Sequence, residues 1–317
     1  MNRKRISSVK NKYKKDVKFV DDFDIIENIG HGSFGDVYLS KETKSGDIMA
    51  TKVEERKKNK KTKLQLELKI YNILHKNNVQ HIPDVLNFCT SRKYHFLHLE
   101  LLGKSLDDVF KYCEKKFDIG SALKLGVDMI DIMKELHKSG IIHRDIKPGN
   151  FMMGKKDTSK LYIMDFGLSR RYMKDGVHIK HSTGNSPMGT PRYISINVHL
   201  GFEPSRRDDM ESIGYLLIYF LNGSLPWQGM KTDNKTKQID KIKTKKMQTS
   251  VEQLCDGLPK CIEEYMKYIT SLDFEVEPDY DGLKTLFIEN AKKLGVNLQY
   301  QWRDTLVTNY SALNSSA

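Results

Sequence analysis

The sequence predicts an α+β chain in which a small, strand-rich N-terminal part precedes a larger, mainly helical one. Three observations carry that expectation. Apolar and polar residues alternate as in strands through most of the first hundred residues. After LLGKSLDDVF the apolar residues recur at helical spacing instead. A glycine-rich turn, GHGSFG at Gly30–Gly35, separates the first two strand-like segments. At 317 residues the chain exceeds what one hydrophobic core usually supports, so two lobes or two domains are expected. A hydrophobic content of 38% with 15 Tyr and 13 Phe excludes a wholly disordered chain.

Residues 1–20 read as a flexible basic arm, since eight of the first 18 residues are Lys or Arg and no helical or strand period runs through them. Such an arm would bind nucleic acid or direct nuclear import; an unstructured terminus of surplus charge is the plainer reading. From Phe23, FDIIENIG is an apolar run ending at glycine, and DVYLS and DIMATKVE alternate as strands. LQLELKIYNIL follows with Leu66, Ile70, Ile73 and Leu74 at helical spacing, and DVLNFC and YHFLHLELL return to strands. The join to the helical part falls at Leu99 to Gly103. In Ser121 to Gly140, Ala122, Leu125, Met129, Met133 and Leu136 form one apolar face, with Ser121 as cap and Gly140 as stop. Further helices are expected at Arg207 to Leu221, Val251 to Cys255, Pro259 to Ser271 and Tyr280 to Leu294.

The net charge of +12 points to acidic partners, whether phosphates, acidic peptides, nucleic acid or anionic membrane; a broadly solvated lysine surface is the competing explanation. The four cysteines lack metal-ligand spacing, which suits a reduced, intracellular protein, cytoplasmic or nuclear. No apolar run is long enough to span a membrane, and no signal segment opens the chain.

Gly30-His31-Gly32-Ser33-Phe34-Gly35 matches G-x-G-x-x-G, and Glu54 falls where a dinucleotide fingerprint would place a ribose-binding carboxylate. A dinucleotide fold needs a helix after the last glycine, whereas Asp36 to Ser40 alternates as a strand. The motif therefore reads as a hairpin whose backbone N–H groups cover nucleotide phosphates. Met49-Ala50-Thr51-Lys52 supplies a strand lysine in the place that V-A-I-K would, and Glu67 on the next helix is placed to pair with it. IIHRDIKPGNFMMG supplies Asp145 to orient and deprotonate an attacking hydroxyl, Lys147 to neutralise the moving phosphoryl group, and Asn150 as a magnesium ligand. Asp165 of Asp165-Phe166-Gly167, after the apolar strand Leu161 to Met164, supplies a second metal ligand.

These motifs resemble those of protein kinases, and three further segments are similar to the casein kinase I family from Phe23 to Trp302. HLELLGKSLDDVF resembles that family's hinge. GTPRYISINVHLG carries Ser195-Ile196-Asn197 where most kinases have A-P-E, and SRRDDMESIGYLLIYFLNGSLPWQGM is close to the family's helix and following turn. The resemblance implies the bilobal protein kinase fold within residues 21–300. The N-lobe, an antiparallel sheet plus one helix, would span about 21–99, the hinge 100–103 and the mainly helical C-lobe 104–300. Residues 301–317 would be a short polar tail, too short for the C-terminal regulatory extension of some members.

It also implies a monomeric serine/threonine kinase that uses Mg-ATP, needs no activation-segment phosphorylation, and prefers acidic or pre-phosphorylated substrates. Ile29, Gly30, Gly32, Ser33, Gly35, Val37 and Ala50 would cover the nucleotide, with Lys52 on its phosphates. Leu99 would be the gatekeeper, Glu100 to Leu102 would meet the adenine edge, and Met152 with Met164 would form the pocket floor. Arg192 with Lys235, Lys237 and Lys241 would bind the substrate anion, although KTKQ departs from the family's K-R-Q-K. Asp209 would brace the catalytic loop, His143 would be structural, and Thr190 would bond near Asp145 and Lys147.

Gly149 stands where the family usually has aspartate, and PGN is similar to the motif of aminoglycoside and choline-type phosphotransferases. A small-molecule kinase is one alternative; Lys147 and the activation segment from Leu168 to Gly201 argue against it. A catalytically weak pseudokinase scaffold that binds phosphopeptides is the other; intact catalytic positions argue against that.

Overall fold

The alternating segments from Phe23 onward become strands. The computed structural model describes residues 23–32, 35–56, 62–230 and 234–303, so the basic arm, Ser33 and most of the C-terminal tail lie outside the described residues. The chain divides into two compact units, one running to Gly103 with Met164–Gly167 added, the other holding Lys104–Ile163 and the chain from Leu168 on.

In the first unit, β1 (Phe23–Gly32), β2 (Gly35–Glu42), β3 (Ile48–Glu55), β4 (Val85–Thr90) and β5 (Tyr94–Glu100) form an antiparallel sheet in the order β1-β2-β3-β5-β4. β1 is irregular between Ile25 and Glu27 and between Asn28 and Gly30, which marks where the hairpin bends. Gly35 is required by sterics: its φ is +155°, and a Cβ there would lie 2.1 Å from the Val53 carbonyl oxygen of β3. β5 is buried from His95 to Leu99; helix α1 (Lys63–Lys76) packs against β3 and β5, and Phe96 packs in a cluster with Tyr38 and Val53.

The buried face of α1 is Leu64, Glu67, Ile70, Tyr71 and Leu74. Leu66, expected on that face, is 46% exposed instead, and Ile73 is only half-buried. The cause is the position of the cap. Thr62 and Gln65 close a capping box around the first turn, which turns Leu64 rather than Leu66 inward.

The second unit is built on helices. After α2 (Leu106–Tyr112), α3 (Ile119–Lys138) buries Ala122, Leu125, Met129, Met133 and Leu136 fully, as their spacing predicts. Each large apolar side chain buried this way stabilises by roughly 1.5–3 kcal/mol before conformational entropy is counted. The cap is Asp118 rather than Ser121: the Asp118 carboxylate accepts the Ser121 N–H at 2.6 Å. Ser121 is already inside the helix, where its hydroxyl donates to Gln299 O and accepts from Gln301 N. Gly140, at φ +76°, follows the last turn.

Short strands frame the loops that follow: β6 (Ile141–Ile142) pairs with β9 (Arg170–Arg171), β7 (Phe151–Met153) with β8 (Leu161–Ile163), and β10 (Met173–Lys174) with β11 (Val177–His178). α4 (Ile196–His199) leads to α5 (Arg206–Asn222), which is buried on nearly every side, polar in its first two turns and mostly apolar after, and packs against α3 and α8 (Lys260–Ser271). α6 (Lys235–Gln248), α7 (Val251–Leu254) and α9 (Tyr280–Leu294) complete the unit. All four cysteines are free thiols. No helix among the described residues is long and apolar enough to cross a membrane.

Candidate active site

In the first unit the strand lysine and the helix glutamate meet. Lys52 is 4% exposed on β3, and its Nζ lies 2.6 Å from Glu67 Oε2 and 2.6 Å from Asp165 Oδ1. Burial opposes its charge, but the two carboxylates outweigh burial and its pKa is raised. Glu67 is pushed up by burial and by Asp165, against the pull of Lys52. Asp165 holds φ at +68°, a left-handed conformation that costs a non-glycine residue about 1–3 kcal/mol and persists where neighbours enforce it. Phe166 next to it is buried edge-on against Tyr71 of α1, ring centroids 4.9 Å apart.

The glycine-rich hairpin pairs Gly30 with Val37 and Gly32 with Gly35. Ala50 pairs with Leu39 on one side and Leu99 on the other. Leu99 and Leu102 are buried, Val37, Ala50, Glu100 and Met164 half-buried, and Ile29 exposed at the β1 irregularity.

In the second unit the loop from His143 to Asn150 converges on one carboxylate. Asp145, 5% exposed, accepts from Thr190 Oγ1 at 2.7 Å on Oδ1 and from Lys147 Nζ at 2.6 Å on Oδ2. Asn150 ends the short 3-10 turn Pro148–Asn150, and its Nδ2 donates to the Asp145 carbonyl at 2.8 Å. Beneath the loop, Asp209 at the start of α5 accepts the main-chain N–H groups of His143 (2.7 Å) and Arg144 (2.8 Å), and bonds His137 Nε2 at 3.1 Å. Burial alone would raise the Asp209 carboxyl, yet the hydrogen bonds and nearby histidines hold it below its ordinary value. Arg144, at φ +68°, donates through Nε to Leu168 O at 2.6 Å. His143 is fully buried. Met152 of β7 is half-buried and bridges to Ser105.

Gly149 leaves room for a neighbour: a Cβ there would lie 3.0 Å from Asp107 Oδ2 of α2. Burial raises the Asp107 carboxyl, against the pull of Lys111, Arg192 and Lys147.

A cavity of about 350 Å³ opens beside Lys147 and Thr190; Asp107, Arg192, Trp227 and Gln238 line it among others. The Arg192 guanidinium lies 5.6 Å from the Tyr193 ring and 5.8 Å from the Tyr219 ring, and Trp227 Nε1 donates to the Arg192 carbonyl at 2.8 Å. Among the described residues, α6 contributes Gln238 and Ile242 to this cavity, while Lys237 and Lys241 are exposed outside its lining. Helical spacing explains the difference, since positions 238 and 242 share one face of α6. Lys235 is the first residue of that helix. Asp107, Trp227, Gln238 and Ile242 carry no signal in the sequence, because they reach the cavity from three places far apart in the chain: α2, the turn at Trp227, and α6. A larger opening of about 650 Å³ near Lys116–Gly120 and Gln299 holds none of the candidate residues.

No cluster of three or more His, Cys, Asp or Glu suited to a metal ion occurs among the described residues. Glycine-rich hairpin, strand lysine, helix glutamate, H-R-D loop and D-F-G turn thus follow in one order along the chain. Residues 23–275, well over half the chain, match the model of the protein kinase domain, and the chain belongs to the protein kinase family.

Proposed function

We propose that this protein kinase is a serine/threonine kinase of the casein kinase I type that transfers the γ-phosphoryl of Mg-ATP to acidic or pre-phosphorylated proteins. The observation that carries the reading is the cavity beside Asp145 and Lys147, whose wall includes the Arg192 guanidinium in a chain of net charge +12. A cation held over two tyrosine rings is desolvated on one side and well placed for a carboxylate or phosphate.

In this reading Asp145 orients the substrate hydroxyl and accepts its proton as the new O–P bond forms and the bond to the β-phosphate oxygen breaks. Thr190 and Lys147, both on its carboxylate, hold it in place, and Lys147 offsets charge on the transferred group. Lys52, fixed by Glu67, binds the α- and β-phosphates. Ile29, Gly30, Gly32, Ser33, Gly35, Val37 and Ala50 cover the nucleotide, and Leu99, Glu100, Leu102, Met152 and Met164 surround the adenine. Asn150 and Asp165 ligate magnesium, which neutralises phosphate charge when bound.

Activity without phosphorylation of the activation segment is supported by the Arg170–Glu203 ion pair at 2.5 Å, which ties the start of that segment to the approach of α5. The lobe boundaries near residues 99 and 104, the monomeric state and the nuclear or polyanion role of the basic arm belong to the same proposal. Of the anion-site residues, Arg192 carries the argument; Lys235 and Lys237 are secondary.

The test is turnover on two peptides that differ only in a phosphoserine three residues before the target serine. Wild type is expected to prefer the primed peptide, and Arg192→Ala to lose that preference by about tenfold or more, the loss of a charge-assisted contact. Equal use of both peptides by wild type would rule out the anion site.

A further inference from the structure

Three side chains from three elements each take one main-chain group at the end of the activation segment. Trp227 Nε1 donates to the Arg192 carbonyl at 2.8 Å, Lys246 Nζ to the Ile194 carbonyl at 2.5 Å, and Glu211 Oε1 accepts the Ile196 N–H at 2.9 Å. The anchors are themselves joined. The Lys246 ammonium lies 4.5 Å from the Tyr215 ring and 5.0 Å from the Trp227 ring, and the Tyr215 hydroxyl donates to Glu211 Oε1 at 2.7 Å. Between the anchored positions, Tyr193 lines the cavity and Ser195 Oγ donates to Asp208 Oδ1 at 2.5 Å.

Lys246 is the unusual member, at 2% exposure. Lysine is almost never buried so fully, because taking an ammonium out of water costs several kcal/mol that ring faces and one carbonyl offset only in part. A methionine would fill the space without that cost; it could not hold the Ile194 carbonyl.

We propose that Lys246 is a positioning residue for the protein substrate: by holding the Ile194 carbonyl it fixes the Arg192–Tyr193 wall of the cavity beside Asp145. The proposal rests on the reading of that cavity as the substrate site. It predicts that Lys246 governs the KM for protein substrate and leaves the KM for ATP alone.

Ionisation provides a second readout. Burial lowers Lys246 to about 7, against the pull of Glu211, and raises Glu211. The other groups facing this cluster are His199 of α4, pushed down to about 4 by burial, Tyr215, pushed far up, Arg207, and Asp208, pushed up to about 6 by burial. Between pH 6.5 and 8.5 Lys246 is thus the member of the cluster that crosses its titration point, with Asp208 mostly ionised already. As pH rises through about 7 the ammonium loses its proton and its hold on the carbonyl and rings weakens, so the KM for substrate rises.

The experiment uses the full chain, Mg-ATP and an unphosphorylated acidic peptide whose carboxylates stay ionised across that range. Lys246→Met is expected to raise the peptide KM about tenfold, with kcat and the KM for ATP within about twofold, as for loss of one hydrogen bond to a charged group. The rise of KM with pH seen in wild type should vanish in the variant. A folded Lys246→Met with the wild-type peptide KM and pH profile overturns the proposal. Trp227→Phe, which removes the donor to Arg192 but keeps a ring beneath Lys246, gives an independent arm: a several-fold rise in peptide KM supports the clamp and no change overturns it. Should wild type transfer no phosphoryl group, the kinase reading of the site fails separately. The peptide's Kd, measured by anisotropy in the same variants, then decides the clamp by the same criteria.

Discussion

Lys52 stands between Glu67 and Asp165, and removing it leaves two carboxylates with no cation in a buried site. Lys52→Met is therefore expected to destabilise the fold by about 3–5 kcal/mol, the cost of stranding a buried charge. Adding Glu67→Gln should recover part of that loss; chemical denaturation of the single and double variants checks it, and additivity would contradict the pairing. Asp208 gives a pH-dependent case. Burial raises its carboxyl to about 6, so the folded state holds a proton that the unfolded chain has released above about 4. Its contribution to stability is complete below about pH 4 and is lost as pH rises through about 6. Asp208→Asn should flatten that part of the stability curve, read from denaturation midpoints at pH 4.5 and 7. At this scale the sequence is legible where one short loop carries several groups: Asp145, Lys147 and Asn150 lie within six positions of each other. Asp107 and Gln238 are not legible, because only the return of α2 and α6 brings them to the same cavity.

At the scale of elements, the hairpin and α1 position the first-unit cluster. Gly35→Ala would drive a Cβ into the Val53 carbonyl, and neither strand can yield without breaking the β2–β3 ladder. A loss of more than about 2 kcal/mol of stability is expected, with a matching loss of nucleotide affinity by calorimetry. Thr62→Ala removes one half of the capping box on the helix that bears Glu67 and should cost about 1 kcal/mol in denaturation experiments. The strands and long helices were readable because their apolar residues keep one period throughout. α6 was not. Its lysines mask the helical repeat, and one of its inward positions is filled by Lys246 rather than an apolar residue. The start of α3 was misplaced for a similar reason: Asp118 and Ser121 are both good caps, and only the packed Gln299–Gln301 backbone settles which one lies outside the helix.

At the scale of the whole molecule, the order of the kinase motifs points to one chemistry, phosphoryl transfer, and the basic balance of +12 is what favours the acidic protein substrate proposed above. Magnesium is part of that claim, so chelation should abolish turnover and magnesium should restore it, since no cluster of acidic, histidine or cysteine ligands among the described residues would retain an ion. The measurement that bears most directly on the claim is transfer of labelled phosphate from Mg-ATP to a single-serine acidic peptide by wild type and by Asp145→Asn. Loss of the carboxylate proposed to receive the hydroxyl proton should lower kcat by about 100-fold or more while peptide and ATP still bind. Wild-type turnover that collapses in Asp145→Asn is the predicted result; tight binding of the peptide with no turnover by wild type would contradict it.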